Sequence, residues 1–150
     1  MKTTWGALGT TWGNRGAGVL LIARDTGRIL LGLRSRYVNE PGTWGIPGGK
    51  VEPRESAVDS ARRELFEELG VKVDALRLLG TVTRPGFTYE TFYAVVPTED
   101  SIHVKLNWET DRVRWFSFGR LPTRTLHPGL RETLDNEDVK SIIRSCRSHR

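Results

Sequence analysis

The sequence predicts an α/β sandwich in which strands precede and follow one long helix, and one or two further helices close the chain. Three observations carry that expectation. Short apolar segments bounded by turn residues lie on both sides of residues 56–69. That stretch sets Val58, Ala61, Leu65 and Leu69 at helical spacing, so one face can dock on a core. No low-complexity stretch or long linker divides the 150 residues, a length that suits one domain with a sizeable core. The expected organisation is a lead-in over residues 1–16 and one domain over residues 17–150.

Residues 3–9 and 10–16, TTWGALG and TTWGNRG, nearly repeat, but two copies are too few for a repeat architecture. Trp5 and Trp12 are expected to pack on the domain, with stacking on a base as the functional alternative. Gly18 to Arg24 is a strand, Asp25-Thr26-Gly27 a turn, and Arg28 to Leu33 a returning strand. Tyr37 to Thr43 forms a loop. Trp44-Gly45-Ile46 is a short strand that runs into the loop signal Pro47-Gly48-Gly49. Ser56 is placed to cap the long helix, with Asp59 where a capping box has Glu or Gln. Val71 to Arg84 alternates as a long strand, Pro85-Gly86 turns, and Phe87 to Val96 returns. On that return strand Phe87, Tyr89, Thr91 and Tyr93 share one face, and Thr88, Glu90, Phe92 and Ala94 the other. The first set either packs against a helix or lines a base pocket. Ile102 to Leu106 is expected as a short strand and Asp111 to Phe118 as a further one. Pro128 opens a short helix. Asp135 with Asp138 starts the last one, which runs to about Arg147 with Val139, Ile142 and Ile143 as its apolar stripe.

Composition limits the function classes. The net charge is +5, carried mostly by arginine, which suits polyphosphate ligands. No run of five basic residues marks a nucleic-acid tail. A helix-turn-helix at the C-terminal end is opposed by the acids of Asp135-Asn136-Glu137-Asp138, which would meet phosphate. A lone cysteine, Cys146, excludes an internal disulfide framework. No apolar stretch approaches the roughly 18 residues of a membrane span. The opening MKTTWGALG lacks a signal peptide's apolar run, so the expected location is the cytoplasm, with no membrane partner.

The chemistry concentrates on the long helix. Glu64, Glu67 and Glu68 stand at i, i+3 and i+4 and share one face. Like charges so placed repel, and a hard divalent cation reverses the sign of that cost. The glycine pair ahead of the helix lets backbone approach a ligand or metal closely. Glu55 sits where the helix dipole favours an anion, and Arg63 offers a rigid fork of donors to the carboxylates. His127, in Leu126-His127-Pro128-Gly129, is expected to pack or cap, with a place in the site as the alternative.

Gly49, Glu55, Arg63-Glu64-Leu65, Glu67-Glu68 and Gly70-Val71 fix nine positions over 23 residues. In that spacing the chain resembles the Nudix box without departure, and it is identified as a MutT-like member of the Nudix hydrolase family. The resemblance implies an α/β/α sandwich with a mixed β-sheet, the box loop and helix at its centre. It implies cleavage of a nucleoside diphosphate linked to another group, by water attack on phosphorus, with Mg2+ or Mn2+ as cofactor. Glu64, Glu67 and Glu68 would hold the metal, with the backbone carbonyl of Gly48 as a further ligand. Glu109 stands six residues before Trp115, which resembles a second family feature and implies an extra ligand or a general base. Either Glu64 or Glu109 would take the proton from water. Arg63 would orient the acids, and Glu55 would support the junction of loop and helix. Arg34 and Arg36 fall where relatives place a phosphate- or base-contacting arginine.

Substrate hints lie outside the box. A (d)NTP or a modified nucleotide is the first expectation, because the chain is compact. Pro85, fifteen residues after Gly70, is near the spacing of ADP-ribose pyrophosphatases. Tyr89 is near that of dinucleoside polyphosphate hydrolases, and is a candidate substrate contact. Asn39 breaks the signature of coenzyme A pyrophosphatases. An RNA 5′ end is the one nucleic-acid substrate kept open. A non-catalytic nucleotide-binding module is the alternative of a different class, although such modules usually lose box acids and this chain keeps them. Family members are often dimers, so the resemblance also allows a homodimer.

Overall fold

The computed structural model describes residues 14–147. Seven strands form one sheet: β1 (Arg15–Ala23), β2 (Ile29–Arg34), β3 (Trp44–Gly45), β4 (Gly48–Lys50), β5 (Arg77–Arg84), β6 (Phe87–Val96) and β7 (Thr110–Phe116). Three α-helices accompany it among the described residues: α1 (Ala57–Leu69), α2 (Pro128–Leu134) and α3 (Glu137–Ser145). The order across the sheet is β3-β2-β1-β6-β5, with β4 paired to β1 and β7 to β2. β1 and β6 run parallel from Arg15–Thr88 to Ala23–Val96, and the other pairs are antiparallel. The sheet is therefore mixed, as expected.

β1 is buried along both faces, which is why it reads as an apolar run rather than an alternation. Its Ala17, Val19 and Leu21 pack with Ala61, Leu65 and Leu69 of α1. Its Leu20 and Ile22 face the opposite way, with Leu130 and Leu134 of α2 and Val139 and Ile143 of α3. β6 divides in the same manner: Phe92 and Ala94 join the α1 side, while Tyr93 joins the other. The result is a sheet between helical layers.

The helix ends follow local chemistry. Ser56 Oγ accepts from the Asp59 N–H at 3.1 Å, and Gly70 closes α1 at a φ of 68°. Gly86 takes a φ of 74° in the β5–β6 turn. α2 is capped by His127, whose Nδ1 accepts from the Gly129 N–H at 3.1 Å. α3 is capped by Asn136 rather than by the expected Asp135: its Oδ1 accepts from Asp138 and Val139 N–H.

Three expectations need correction. Residues 102–106 are not a strand; they run past the end of α1, where Lys105 N–H donates to Leu69 O at 2.7 Å and Asn107 N–H to Glu68 O at 3.3 Å. A helix end leaves carbonyls without partners, and this segment supplies donors. Its apolar residues Ile102 and Val104 pack against the α1 side of the core, which accounts for the strand-like pattern. The long strand expected over 71–84 begins only at Arg77, because Val71, Val73 and Leu76 also turn into that core. β4 was not expected as a strand; it pairs Gly48 with Gly18 and Gly49 with Ala17. The Trp5 and Trp12 near-repeat lies outside the described residues. Among the described residues, no helix is long and apolar enough to cross a membrane.

Candidate active site

The site forms where β4 meets the last turns of α1. Glu68 is 5% exposed, and its Oε2 accepts from the Gly48 N–H at 2.8 Å. Glu64 lies against Gly49: a Cβ added to that glycine would stand 2.7 Å from Glu64 Oε2. Arg63 binds this junction together. Its Nε and Nη2 donate to the two Glu55 oxygens at 2.8 and 3.1 Å. Its Nη1 donates to Glu64 at 2.9 Å and Glu67 at 3.2 Å, and Nη2 also reaches Lys50 O at 3.1 Å. Glu67 is the most open of these acids, with its side chain 50% exposed.

The acids differ in charge environment. Burial pushes the Glu68 carboxyl well above its ordinary range, and the neighbouring charges of Glu109 and Glu64 add to this, against the Gly48 hydrogen bond. Burial also raises Glu64, opposed by Arg63. Glu55 goes the other way, held down at about 2, chiefly by its hydrogen bonds from Arg63. Arg63 is itself raised by its Glu55 partner.

Glu109 enters from the chain just ahead of β7. Its Oε1 accepts from Asn107 Nδ2 at 3.1 Å, while its N–H donates to Asn107 Oδ1 at 2.9 Å. It shares a narrow cleft with Arg34, Val38, Pro47 and Glu68. The structure therefore brings together Gly48, Arg63, Glu64, Glu67, Glu68 and Glu109. Arg34 joins them at the end of β2, where its Nε donates to Asn39 O at 2.6 Å. Burial lowers the Arg34 pKa, opposed by the charges of Glu68, Tyr89 and Glu109.

Tyr89 and Arg34 also line a small cavity with Thr91, His127 and Thr133. Tyr89 is buried, with its hydroxyl against Gly18 and Gly48, and burial raises its pKa. His127 both caps α2 and lines this cavity. Burial first, and then the charge of Arg34, push it down to about 3. Its single-residue signal in the sequence, His before Pro-Gly, pointed to a cap and did not reveal its neighbours. Arg36 does not enter the cleft or the cavity. It is exposed, donates through Nη2 to the Tyr37 hydroxyl at 2.7 Å, and lies 4.9 Å from that ring's centroid. β2 ends at Arg34, and the chain beyond it turns outward.

The donor set suits a hard cation: carboxylates and glycine-loop backbone converge, and burial, with neighbouring acid charge added to it, raises two of the carboxyls, a cost that a divalent charge relieves. In the arrangement described, Arg63 engages Glu64 and Glu67, and Gly48 engages Glu68. No group of three or more His, Cys, Asp or Glu among the described residues is placed to hold a metal ion in this arrangement.

Comparison with known proteins agrees with this architecture. The NUDIX domain family model matches residues 13–136. A nucleoside triphosphate pyrophosphatase/Nudix hydrolase fusion protein of Bifidobacterium longum is 31% identical over 124 residues, 77% of this chain and 26% of that protein. An oxidized purine nucleoside triphosphate hydrolase of Mus musculus is 32% identical over 114 residues, 73% of this chain and 70% of that protein. The crystal structure of a MutT NUDIX hydrolase from Burkholderia pseudomallei superposes with a TM-score of 0.66 at 28% identity, covering 83% of this chain and 97% of that one. The chain thus spans about a quarter of the first of these relatives and 70% of the second. This chain belongs to the Nudix hydrolase family. Members of that family generally use divalent metals.

Proposed function

We propose that the chain is a divalent-metal-dependent pyrophosphohydrolase that converts a (d)NTP or a modified nucleoside triphosphate to the monophosphate and pyrophosphate. The observation that carries this reading is the gathering of Glu64 and Glu109 about Glu68, which binds the Gly48 N–H, with Arg34 lining the cleft that Glu68 and Glu109 share. The likeness to the mouse oxidized purine nucleoside triphosphate hydrolase supports the substrate class.

In this reading Glu64, Glu67, Glu68 and Glu109, with the Gly48 carbonyl, would hold Mg2+ or Mn2+. Such a cation neutralises polyphosphate charge and makes bound water more acidic. The chain's own residues do the rest. Arg63 holds Glu55, Glu64 and Glu67 in one geometry, so that the acids need no rearrangement of the helix when substrate arrives. Water attacks phosphorus as its proton passes to a carboxylate, the anhydride P–O bond breaks, and pyrophosphate leaves. Glu109 is the better base of the two candidates, since Arg63 does not hold it. Arg34 faces the developing phosphate charge. Tyr89 supports the glycine loop from beneath. The hydrolase domain takes in residues 17–150 together with Arg15 and Gly16, which already belong to β1, and acts in the cytoplasm.

The test is a substrate panel with Mg2+ and with Mn2+, reading phosphate with and without added pyrophosphatase or phosphatase. Phosphate released from a dNTP or 8-oxo-dGTP only when pyrophosphatase is present supports the proposal. Phosphate from ADP-ribose only with phosphatase transfers the assignment to nucleotide sugars. Binding of nucleotide without turnover makes the chain a non-catalytic module.

A further inference from the structure

The cleft that Glu68 and Glu109 share is narrow, about 10 Å3. A far larger concavity, about 710 Å3, lies elsewhere on the molecule. It opens where β1 and β6 end, between Arg24, Tyr93, Val96 and the last residues of α3. The acid site belongs to the other end of β1, where Gly18 pairs with Gly48. At the usual rise of a strand, Gly18 and Arg24 stand about 20 Å apart. The groove is therefore no part of the acid site.

Three cations line it, Arg24, Lys72 and Arg77, against one carboxylate, Asp74. The sheet brings the two arginines together. Arg77 on β5 pairs with Tyr93 on β6, whose side chain joins the core beneath α2 and α3. Arg24 follows Leu20 and Ile22 of the same core at two-residue spacing, and its N–H donates to Val96 O at 2.9 Å. Burial raises the pKa of Cys146, just past the end of α3, and the charges of Arg24 and Arg77 oppose it, so both guanidiniums act on one thiol. Both arginines are exposed, and neither side chain forms a hydrogen bond or an ion pair with another described residue. Lys72 lies 4.9 Å from the Phe66 ring centroid. Other arginines are engaged by carboxylates: Arg28 by Glu99, Arg63 by Glu55 and Arg84 by Glu132. The last turn of α3 favours cations beside it, which accounts for their place but leaves their donors unused.

We propose that this groove is a second ligand site, which binds the di- or triphosphate group of a small molecule through Arg24, Lys72 and Arg77 and needs no metal ion. Guanidinium forks match phosphate oxygens two at a time. Three positive charges in one concavity answer a di- or triphosphate better than a single carboxylate. The volume falls in the range of small-molecule pockets. The two sites differ in chemistry. The acids repel phosphate until a cation bridges them, whereas the groove carries its own positive charge. The groove does not depend on the proposed reaction.

Inorganic pyrophosphate is titrated into the full chain in EDTA by calorimetry, and backbone amide NMR shifts place it. Saturable binding is expected, with shifts over residues 72–77 and 93–97. Arg24→Gln and Arg77→Gln should each weaken it by about ten-fold with Tm unchanged, and Arg77→Lys should recover part of the loss. Glu68→Gln should leave it within about two-fold. ADP run in parallel tells a nucleotide-borne group from the free anion, and either result keeps the proposal. Absence of saturable binding in EDTA overturns it. So does equal binding by the wild type and both glutamine variants. Shifts confined to residues 48–68 would place the ligand among the acids and overturn it too. A short oligo-dT that binds where pyrophosphate and ADP do not would replace it with a nucleic-acid surface.

Discussion

The Gly48 N–H and the Glu68 carboxylate are bound at 2.8 Å, joining the glycine loop to the last turn of the central helix. Glu68 is thereby held in the crowd of acids at the point of greatest burial among them. Replacing it with the isosteric neutral side chain separates charge from shape. Glu68→Gln keeps an acceptor for Gly48 and removes repulsion from Glu64 and Glu109. The expected outcome is a kcat at least about 100-fold lower with Tm unchanged or slightly raised. Pyrophosphate release and a thermal melt check it, and full activity or early melting would count against the assignment.

Gly48 and Gly49, the pair at the start of the loop, should respond differently to one added methyl group. A Cβ on Gly48 would lie 2.7 Å from Ala17 O and 2.9 Å from Gly18 Cα, both backbone atoms that cannot step aside. Gly48→Ala is expected to cost about 1–3 kcal/mol of stability, read by denaturant titration. At Gly49 the obstacle is the Glu64 carboxylate at 2.7 Å, a side chain that can swing. Gly49→Ala therefore keeps most of the stability and lowers kcat by about ten-fold or more, through a displaced Glu64. Equal loss of stability in both variants would contradict this distinction.

Arg63 spans Glu55, Glu64 and Glu67 at once, a reach that a single ammonium cannot reproduce. Arg63→Lys should lose about 1 kcal/mol, a figure reduced because the Arg63 side chain is 30% exposed. The acid limb of the stability curve tests the same bridge. Glu55 has a folded-state pKa of about 2 against an ordinary 4.5. Its contribution is complete above about 4.5 and is lost as pH falls toward 2. Glu55→Gln should flatten that part of the curve, measured by urea titration across the window.

His127 gives a second pH signature, at higher pH. It is neutral when folded, with its pKa near 3, whereas the unfolded chain protonates it near 6.5. The unfolded state binds more protons between these values, so stability falls as pH drops from 6.5 toward 3. His127→Asn retains a side chain that can cap α2 and removes the titration. Its stability should vary less than that of the wild type over this window. An NMR titration showing His127 protonated at pH 6 in the folded protein would rule the account out.

Much of this site was legible before any coordinates. The spacing of Glu64, Glu67 and Glu68, the Ser56 cap and the bounds of β6 follow from local chemistry. Periodicity and capping act within a few residues of sequence. What escaped depends on contacts between distant segments. The Ile102 to Leu106 pattern looks like a strand because Ile102 and Val104 are buried, but the partner that buries them is α1. Gly48–Lys50 has no side-chain pattern to announce a strand, since pairing there is set by close backbone approach to β1. Arg34 and Arg36 look equivalent in sequence. The end of β2 sends the first into the cleft and the second to Tyr37.

The parallel pairing of β1 with β6, from Arg15–Thr88 to Ala23–Val96, orders events during synthesis. β1 is the middle of the sheet, yet its longest partner is made only after more than half of the 150 residues have been joined. Until Val96 has left the ribosome, the apolar edge of β1 has no neighbour on that side. Closing so long a loop is entropically costly and tends to be slow. A nascent chain stalled before Phe87 should therefore be protease-sensitive throughout. One released past Val96 should gain protection over β1 and β6 together.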